Sequence, residues 1–76
     1  MREAIEMIVR SLVDNADAVD IREVDQRGTT LIEVRVAPED VGKIIGKQGR
    51  TIRALRSIAR VLGTKANRRY SVEIVE

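Results

Sequence analysis

Residues 41–56 read VGKIIGKQGRTIRALR and hold three glycines and five lysine or arginine side chains. Glycine in a helix interior is about 1 kcal/mol less favourable than alanine, and like charges one turn apart repel one another. The apolar residues around them nevertheless keep helical spacing. The stretch therefore predicts two helices that meet at a turn formed by Gly46-Lys47-Gln48-Gly49.

The helix after this turn, predicted at about Arg50 to Leu62, has two distinct faces. One face is apolar, and four arginines fall together on the adjoining face. Gly63 follows as the expected C-terminal stop. The apolar face holds Ile52, Leu55, Ile58, Ala59 and Leu62, and the basic face holds Arg50, Arg53, Arg56 and Arg60.

The other residues predict a further helix and three strands. Apolar residues recur at helical spacing near the amino terminus, and apolar and polar residues alternate over three later segments. Asp25-Gln26-Arg27-Gly28 has turn chemistry, and Pro38 suits the first turn of a helix. The predicted bounds within a single domain, 1–76, are a helix at 2–14, strands at about 19–25, 29–37 and 70–75, helices at about 39–45 and 50–62, and a turn at 46–49.

The order of these elements is helix, strand, strand, helix, helix, strand. The two consecutive strands predict an antiparallel hairpin, and a crossover through two helices favours a parallel pair in the same sheet. We therefore expect a small α+β fold in which the helices pack on one face of a three-stranded mixed sheet. At 76 residues the chain is near the lower size limit for a domain that folds alone.

Charge and composition narrow the range of functions. From Val41 to Arg69 there are nine lysine or arginine residues and no aspartate or glutamate, although the net charge of the chain is only +2. Such one-sided loading is typical of a surface that binds a polyanion, the alternative being a solvated helix face. Histidine and cysteine are absent, which excludes the usual general base, thiolate metal sites and disulfides. The sequence shows no signal peptide and no membrane span, so we expect a cytoplasmic protein.

The predicted turn has the properties of a phosphate site. Its two glycines let the backbone of another molecule approach closely, and the helix that begins at Arg50 presents free N–H groups and the positive end of its dipole there. Lys47 adds a point charge. Apolar surface beside the turn comes from Ile44, Ile45 and Ile52. A site with positive charge on one side and apolar surface on the other suits a single-stranded nucleic acid, whose phosphates and bases point in opposite directions. The alternative is a tight turn between two helices that binds no ligand.

Residues 41–55 resemble the signature of the K-homology (KH) domain, which is an apolar pair, the sequence GxxG and an apolar residue three positions on. A bare GxxG is a weak signal, but the whole pattern between two helices is specific. The helix and strand that precede the βααβ core match the type II arrangement, αββααβ, and the resemblance covers essentially the whole chain. The chain looks most like the small stand-alone bacterial RNA-binding KH proteins of the KhpA type.

This resemblance implies roles for particular residues. In KH domains the GxxG turn holds the backbone of about four nucleotides in a groove. By this likeness the strand around Val19 to Val24 would form the opposite wall, and the short segment from Asp25 to Thr29 would be the variable loop, so that base specificity is modest. The residues implied in RNA binding are Lys43, Ile44, Ile45, Gly46, Lys47, Gln48, Gly49, Arg50, Ile52 and Arg53. Arg56 and Arg60 are equally consistent with solvated charges.

Association with another protein is a second class of function. Ala54 and Val61 are seven residues apart and point away from the main apolar face, and with Ser57 they form a candidate dimer interface. The KhpA-type resemblance implies a homodimer, or a heterodimer with a larger KH-domain protein, which would add avidity to a short RNA site. The leading hypothesis is a non-enzymatic protein that binds single-stranded RNA as a dimer, a post-transcriptional regulator or RNA chaperone. One alternative is a protein–protein assembly module in which RNA binding is secondary. A weaker alternative is a protein that binds single-stranded DNA.

The sequence carries no pattern of catalytic residues. The P-loop pattern GxxxxGK[ST] fails because Lys47 stands where its second glycine is needed, and there is no GxGxxG. The three serines, Ser11, Ser57 and Ser71, have no histidine to activate them. We therefore expect no enzyme activity, no cofactor, no metal site and no membrane association.

Overall fold

A computed structural model of the chain describes residues 2–75. The order of its elements is α-β-β-α-α-β, as predicted for the type II KH fold, and no helix within these residues is long and apolar enough to cross a membrane. Met1 and Glu76, the ends of the predicted domain, lie outside the described residues. The elements are α1 (Arg2–Leu12), β1 (Asp20–Gln26), β2 (Thr29–Arg35), α2 (Val41–Ile45), α3 (Arg50–Lys65) and β3 (Arg69–Val75), with 3-10 turns at Ala16–Ala18, Pro38–Asp40 and Lys47–Gly49.

The three strands form one mixed sheet in the order β1-β2-β3. β1 and β2 pair antiparallel over their full length. Their two-residue connection, Arg27-Gly28, has φ of 45° and 85°, the positive values that tight hairpin turns use. β2 and β3 pair in parallel. The predicted hairpin and the predicted parallel crossover pair are both confirmed.

The core lies between one face of the sheet and the helices. α1 packs against β1, α3 packs against β3, and α2 contacts both of the other helices. Alternate residues of the central strand, Thr30, Ile32 and Val34, are buried because this strand lies between the other two and under the helices. The other large core side chains are Ile5, Val9, Val19, Ile21, Ile44, Ile52, Leu55 and Val72.

The predicted boundaries differ from the observed ones by a few residues. α1 ends at Leu12 rather than at residue 14, and β2 ends at Arg35 rather than at residue 37. Pro38 begins a 3-10 turn, after which α2 runs from Val41. Ile58, predicted on the core face of α3, is 38% exposed because it lies at the edge of that face.

Gly63 does not end α3, so that prediction was wrong. The helix continues to Lys65. Asn67, two residues later, has φ 57° and adopts the left-handed conformation that was expected of Gly63. The hydrogen bonds from Arg68 N to Gly63 O (2.8 Å) and from Asn67 N to Thr64 O (3.1 Å) are those of a Schellman motif. Gly63 is needed for space instead, since a Cβ there would lie 2.7 Å from Tyr70 Cδ2.

Candidate nucleic-acid interface

Three of the four residues in the turn between α2 and α3 have positive φ. The values are 77° at Gly46, 57° at Gln48 and 74° at Gly49. A Cβ at Gly46 would contact Thr51 Oγ1 and lie 2.8 Å from the Thr51 backbone nitrogen, so glycine is required there for both conformation and space. At Gly49 the nearest atom to an added methyl group would be Ile52 Cγ2 at 4.0 Å, so glycine is required there for conformation alone.

The N-terminus of α3 opens directly onto this turn. Gly49 is the N-cap residue and has no side chain, and no side-chain hydrogen bond caps the helix. The turn itself occupies two nearby N–H groups, since Gly49 N donates to Gly46 O at 3.1 Å and Arg50 N donates to Lys47 O. The next N–H groups, those of Thr51 and Ile52, have no carbonyl partner within the helix, and the helix dipole adds partial positive charge at the same end. Lys47, Gln48 and Arg50 are exposed around these groups. The turn therefore combines backbone donors with mobile positive charges, an arrangement that suits a phosphate.

Arg53 lies against the carbonyl side of the turn. Its Nη2 donates a hydrogen bond to Gln48 O at 2.9 Å, and its Nε donates to Gly49 O at 3.3 Å. The guanidinium thus occupies two carbonyl oxygens that would otherwise repel an anion. The spacing of four residues between Gly49 and Arg53 was a usable signal for this contact, because residues four apart on a helix are neighbours.

The three isoleucines predicted to line a groove differ in exposure. Ile45 is 40% exposed, whereas Ile52 is 8% exposed and Ile44 has no exposed surface. Ile44 and Ile52 belong to the core, where they support the turn from below. Only Ile45 presents a broad apolar surface beside the turn.

Lys43 is engaged with two carboxylates. Its Nζ donates to Asp14 Oδ2 and, at 3.0 Å, to Asp40 Oδ1. These hydrogen bonds, first the one with Asp14, raise the pKa of Lys43. The ammonium thereby joins α2 to the segment that follows α1.

Asp40 is the buried centre of this ion-pair network. It has no exposed surface, and its carboxylate accepts hydrogen bonds from Asn15 N at 3.0 Å and Asp14 N at 3.3 Å. The Asn15 hydrogen bond is the largest cause of a pKa below the usual value for this carboxyl, and the bond from Lys43 adds to it. The sequence does not reveal the two backbone donors of Asp40, because Asn15 and Asp14 are 25 and 26 residues away.

A row of arginines leads away from the turn along α3. Arg53, Arg56 and Arg60 follow one another at spacings of three and four residues and therefore share a face. Arg56 Nε lies 3.4 Å from Val72 O and donates to it. The row, which we call the basic stripe, therefore faces β3, an edge strand of the sheet.

The strand predicted to form the opposite wall of the groove, around Val19 to Val24, corresponds to β1 with the residue before it. β1 is at one edge of the sheet and packs against α1, whereas β3 is at the other edge and packs against α3. β3 therefore borders the basic stripe, and the role of β1 as a groove wall stays a prediction.

The residues of the candidate dimer interface are all exposed. Val61 is 57% exposed, and Ala54 and Ser57 lie in the same exposed sector of α3. Ser57 and Val61 also line a shallow apolar cavity of about 280 Å³, together with Ile58 and Leu62. Ile58 was missed as a member of this patch because its spacing assigned it to the core.

Among residues 2–75 there is no group of three or more aspartate, glutamate, histidine or cysteine side chains that could hold a metal ion.

The αββααβ order, the parallel β2–β3 pair and the GxxG turn at the start of α3 define a type II KH domain. The family model described as KhpA/KhpB, KH domain, matches residues 2–74, and the chain belongs to this family.

Several relatives match over nearly their whole length. The chain is 44% identical over 75 residues to the RNA-binding protein KhpA of Caldanaerobacter subterraneus, covering 99% of this chain and all of that protein. It is 43% identical over 76 residues to the protein of the same name from Aquifex aeolicus, covering 100% and 96% of the two chains. The corresponding protein of Borreliella burgdorferi is 45% identical over 74 residues, covering 97% and 90%. No solved structure gives a significant match.

Proposed function

We propose that this protein binds single-stranded RNA, without catalysing a reaction, and that the GxxG turn holds the RNA backbone. The relatives that match its full length are named RNA-binding proteins. The observation that carries the proposal is the turn itself, where uncapped N–H groups of α3 meet Lys47 and Arg50 at a backbone with three positive φ values. Phosphate is the ligand that such N–H groups and charges complement.

Each residue of the turn has a distinct role in this proposal. The backbone N–H groups of Thr51 and Ile52 in the first turn of α3 bind a phosphate, because those of Gly49 and Arg50 already donate to Gly46 O and Lys47 O. The side chains of Lys47 and Gln48 contact the same stretch of RNA backbone. Ile45 supplies apolar surface for a base, since it is the exposed isoleucine beside the turn. Because the chain has a single aromatic residue, Tyr70, bases rest on aliphatic surface and base specificity is modest.

The remaining predicted RNA-binding residues act indirectly. Ile44 and Ile52 support the turn from the core. Arg53 holds the turn carbonyls, and Lys43 holds α2 against the end of α1 through its two carboxylates. Their substitution is expected to weaken RNA binding by disturbing the turn rather than by removing a direct contact.

Association through α3 is the second part of the proposal. Ala54, Ser57, Ile58 and Val61 form an exposed patch beside the basic stripe, and burial of such a patch favours a homodimer or a heterodimer with a larger KH-domain protein. A dimer would present two short RNA sites and bind longer RNAs with avidity, as a cytoplasmic RNA chaperone or post-transcriptional regulator needs. An assembly module with secondary RNA binding is the competing function, and the exposure of Val61 is the observation that favours it.

A pair of substitutions at Gly49 tests RNA binding at the turn. Gly49→Ala and Gly49→Asp both place a Cβ at positive φ, where aspartate is better tolerated than alanine, and that Cβ has no close neighbour. Only aspartate adds a negative charge, so strain does not explain a larger loss of affinity in Gly49→Asp. Fluorescence anisotropy with a labelled oligouridylate should show a loss of affinity on the order of tenfold or more for Gly49→Asp relative to Gly49→Ala. If both folded variants bind equally well, RNA does not contact the turn and the assembly function is favoured. Gly46→Asp is less informative, because its Cβ would displace Thr51.

A further inference from the structure

A second group of basic side chains lies at the opposite end of α3 from the GxxG turn. A cavity of about 380 Å³ is lined by Gly28, Thr64, Asn67, Arg68 and Arg69. An adjoining cavity of about 330 Å³ shares three of these residues and is also lined by Thr29, Arg60 and Tyr70. Together the two cavities are lined by three arginines and no carboxylate. We treat them as one site and call it the basic cavity.

The three arginines of the basic cavity have no partner within the part of the chain that the structure describes. Arg10, Arg22 and Lys43 form ion pairs with carboxylates, but the side chains of Arg60, Arg68 and Arg69 form neither an ion pair nor a hydrogen bond there. Three exposed, unpaired arginines that line adjoining cavities favour a bound anion there, because no carboxylate among the lining residues offsets their charge. Arginine also binds phosphate through two parallel hydrogen bonds.

The backbone that carries these arginines is fixed. The Schellman motif at Asn67 ends α3 just before Arg68, and Arg69 is paired with Thr29 across the parallel strands. The hairpin turn at Gly28 forms the other side of the cavity, so three separate parts of the chain contribute to it. The backbone around the cavity is therefore preorganised, and only the arginine side chains need to be ordered when a ligand binds.

The basic stripe connects this cavity to the GxxG turn. Arg53, Arg56 and Arg60 continue to Thr64 at spacings of three or four residues, and Arg60 and Thr64 themselves line the cavity. Thr64 lies fifteen residues after Gly49, which corresponds to about 22 Å along the helix axis. The stripe faces the edge strand β3 where Arg56 donates to Val72 O. One continuous basic path thus runs the length of α3.

We propose that the basic cavity is a second phosphate-binding site, which holds the same RNA strand beyond the nucleotides bound at the GxxG turn. This inference rests on the proposed function, because the strand must first be bound at the turn. The RNA footprint of one protomer is then longer than the roughly four nucleotides that a KH turn holds. The first site sets the position of the strand, and the second adds affinity that depends on RNA length.

Length-dependent binding tests the second site separately from the first. The probes are labelled oligouridylates of about four nucleotides and of three times that length. The variant is Arg68→Gln combined with Arg69→Gln, and the matched control is Arg10→Gln combined with Arg22→Gln, which removes two exposed charges from the other half of the chain. The wild type should bind the longer probe more tightly than the short one.

The Arg68/Arg69 variant should bind the short probe as the wild type does and show about five- to tenfold weaker affinity for the longer probe. The slope of log affinity against log salt for the longer probe should fall by about 0.7 for each phosphate that the protein no longer neutralises. The control should keep the full preference for the longer probe. If the Arg68/Arg69 variant and the Arg10/Arg22 control lost the same affinity for the longer probe, or if neither lost any, the second site would be refuted. Failure of the proposed function would appear differently, as a Gly49→Asp variant that binds the short probe normally.

Discussion

Arg53 Nη2 lies 2.9 Å from the carbonyl oxygen of Gln48, so a side chain of α3 holds the backbone of the turn that precedes it. Gln48 has φ 57°, a conformation that is unfavourable for a residue with a Cβ. The hydrogen bond offsets part of this strain, and the second bond to Gly49 O fixes the next peptide. The turn is therefore held in shape by its own helix before any ligand arrives.

Arg53→Gln should loosen this turn in the free protein. Loss of the two hydrogen bonds should lower the free energy of unfolding by about 0.5–1.5 kcal/mol. It should also speed amide hydrogen exchange at Gly49 and Arg50, whose N–H groups are hydrogen-bonded within the turn. Arg60→Gln is the matched control, because it removes the same charge from the same helix face without a turn contact. Hydrogen exchange followed by NMR distinguishes the two, and unchanged exchange at the turn in Arg53→Gln would show that Arg53 does not hold it.

Replacement of glycine by alanine should have opposite effects at two helical positions. At Gly63 the new methyl group would meet Tyr70 and the Arg68 carbonyl at 2.7 Å, so stability should fall, by about 1–3 kcal/mol for an overpacked site. At Gly42 nothing lies within 4 Å and φ is ordinary, so Gly42→Ala should raise stability, by about 0.5–1 kcal/mol. Urea unfolding measures both, and a Gly63→Ala variant as stable as the wild type would refute the packing argument.

The Asp40 network should make the protein sensitive to acid. The pKa of Asp40 is lower in the folded chain than its usual 3.8, so the unfolded chain takes up the proton first as the pH falls. The stabilisation is complete above that usual value and is lost as the pH drops through the lowered pKa. Asp40→Asn should reduce stability at pH 7 and flatten the decline below about pH 4.

The same substitution at Asp17, an exposed residue of the turn after α1, is the control for Asp40→Asn. In Asp17→Asn, the urea midpoint of unfolding should fall between pH 7 and acid pH as steeply as it does in the wild type. A decline that is equally steep in Asp40→Asn would mean that this carboxylate does not cause it.

Val61→Glu should dissociate a dimer that forms through α3. A charge at the centre of an apolar interface loses its hydration without gaining a partner, which should weaken association by a factor on the order of a hundred. Val24→Glu, on the far edge strand, is the control because Val24 is also exposed but lies away from α3. Sedimentation or light scattering should give a monomer for Val61→Glu alone; a dimer in both variants would place the interface elsewhere.

Much of the fold followed from the spacing of apolar residues. The helical repeat before Leu12, the alternation in β2 and the two glycines at 46 and 49 predicted the order of the helices and strands, because local periodicity and turn chemistry decide these features. Gly63 was misassigned because a helix-ending glycine and a glycine needed for close packing look alike in sequence. Only the position of Tyr70 in three dimensions distinguishes them.

The candidate site was less accessible to sequence reasoning. Spacing groups Lys43 with the other basic residues of its stretch. The three-residue spacing from Asp40 to Lys43 was a usable signal for one carboxylate partner, but spacing cannot reveal Asp14, which is 29 residues away. Ile44 was expected at the surface of the groove, although helix packing buries it completely. The basic cavity combines Gly28 with residues near 68, forty positions later in the chain, and only the parallel pairing of β2 with β3 brings them together.

The central claim is that an RNA backbone is bound by main-chain amides at the turn. The most direct measurement is a titration of isotopically labelled protein with an oligouridylate, followed by amide NMR. We predict that the earliest and largest shifts occur from Gly46 to Thr51, and that the amides of the β1–β2 hairpin respond only to the longer oligonucleotide. Saturable binding that leaves the amides of residues 46–51 unperturbed would contradict the claim.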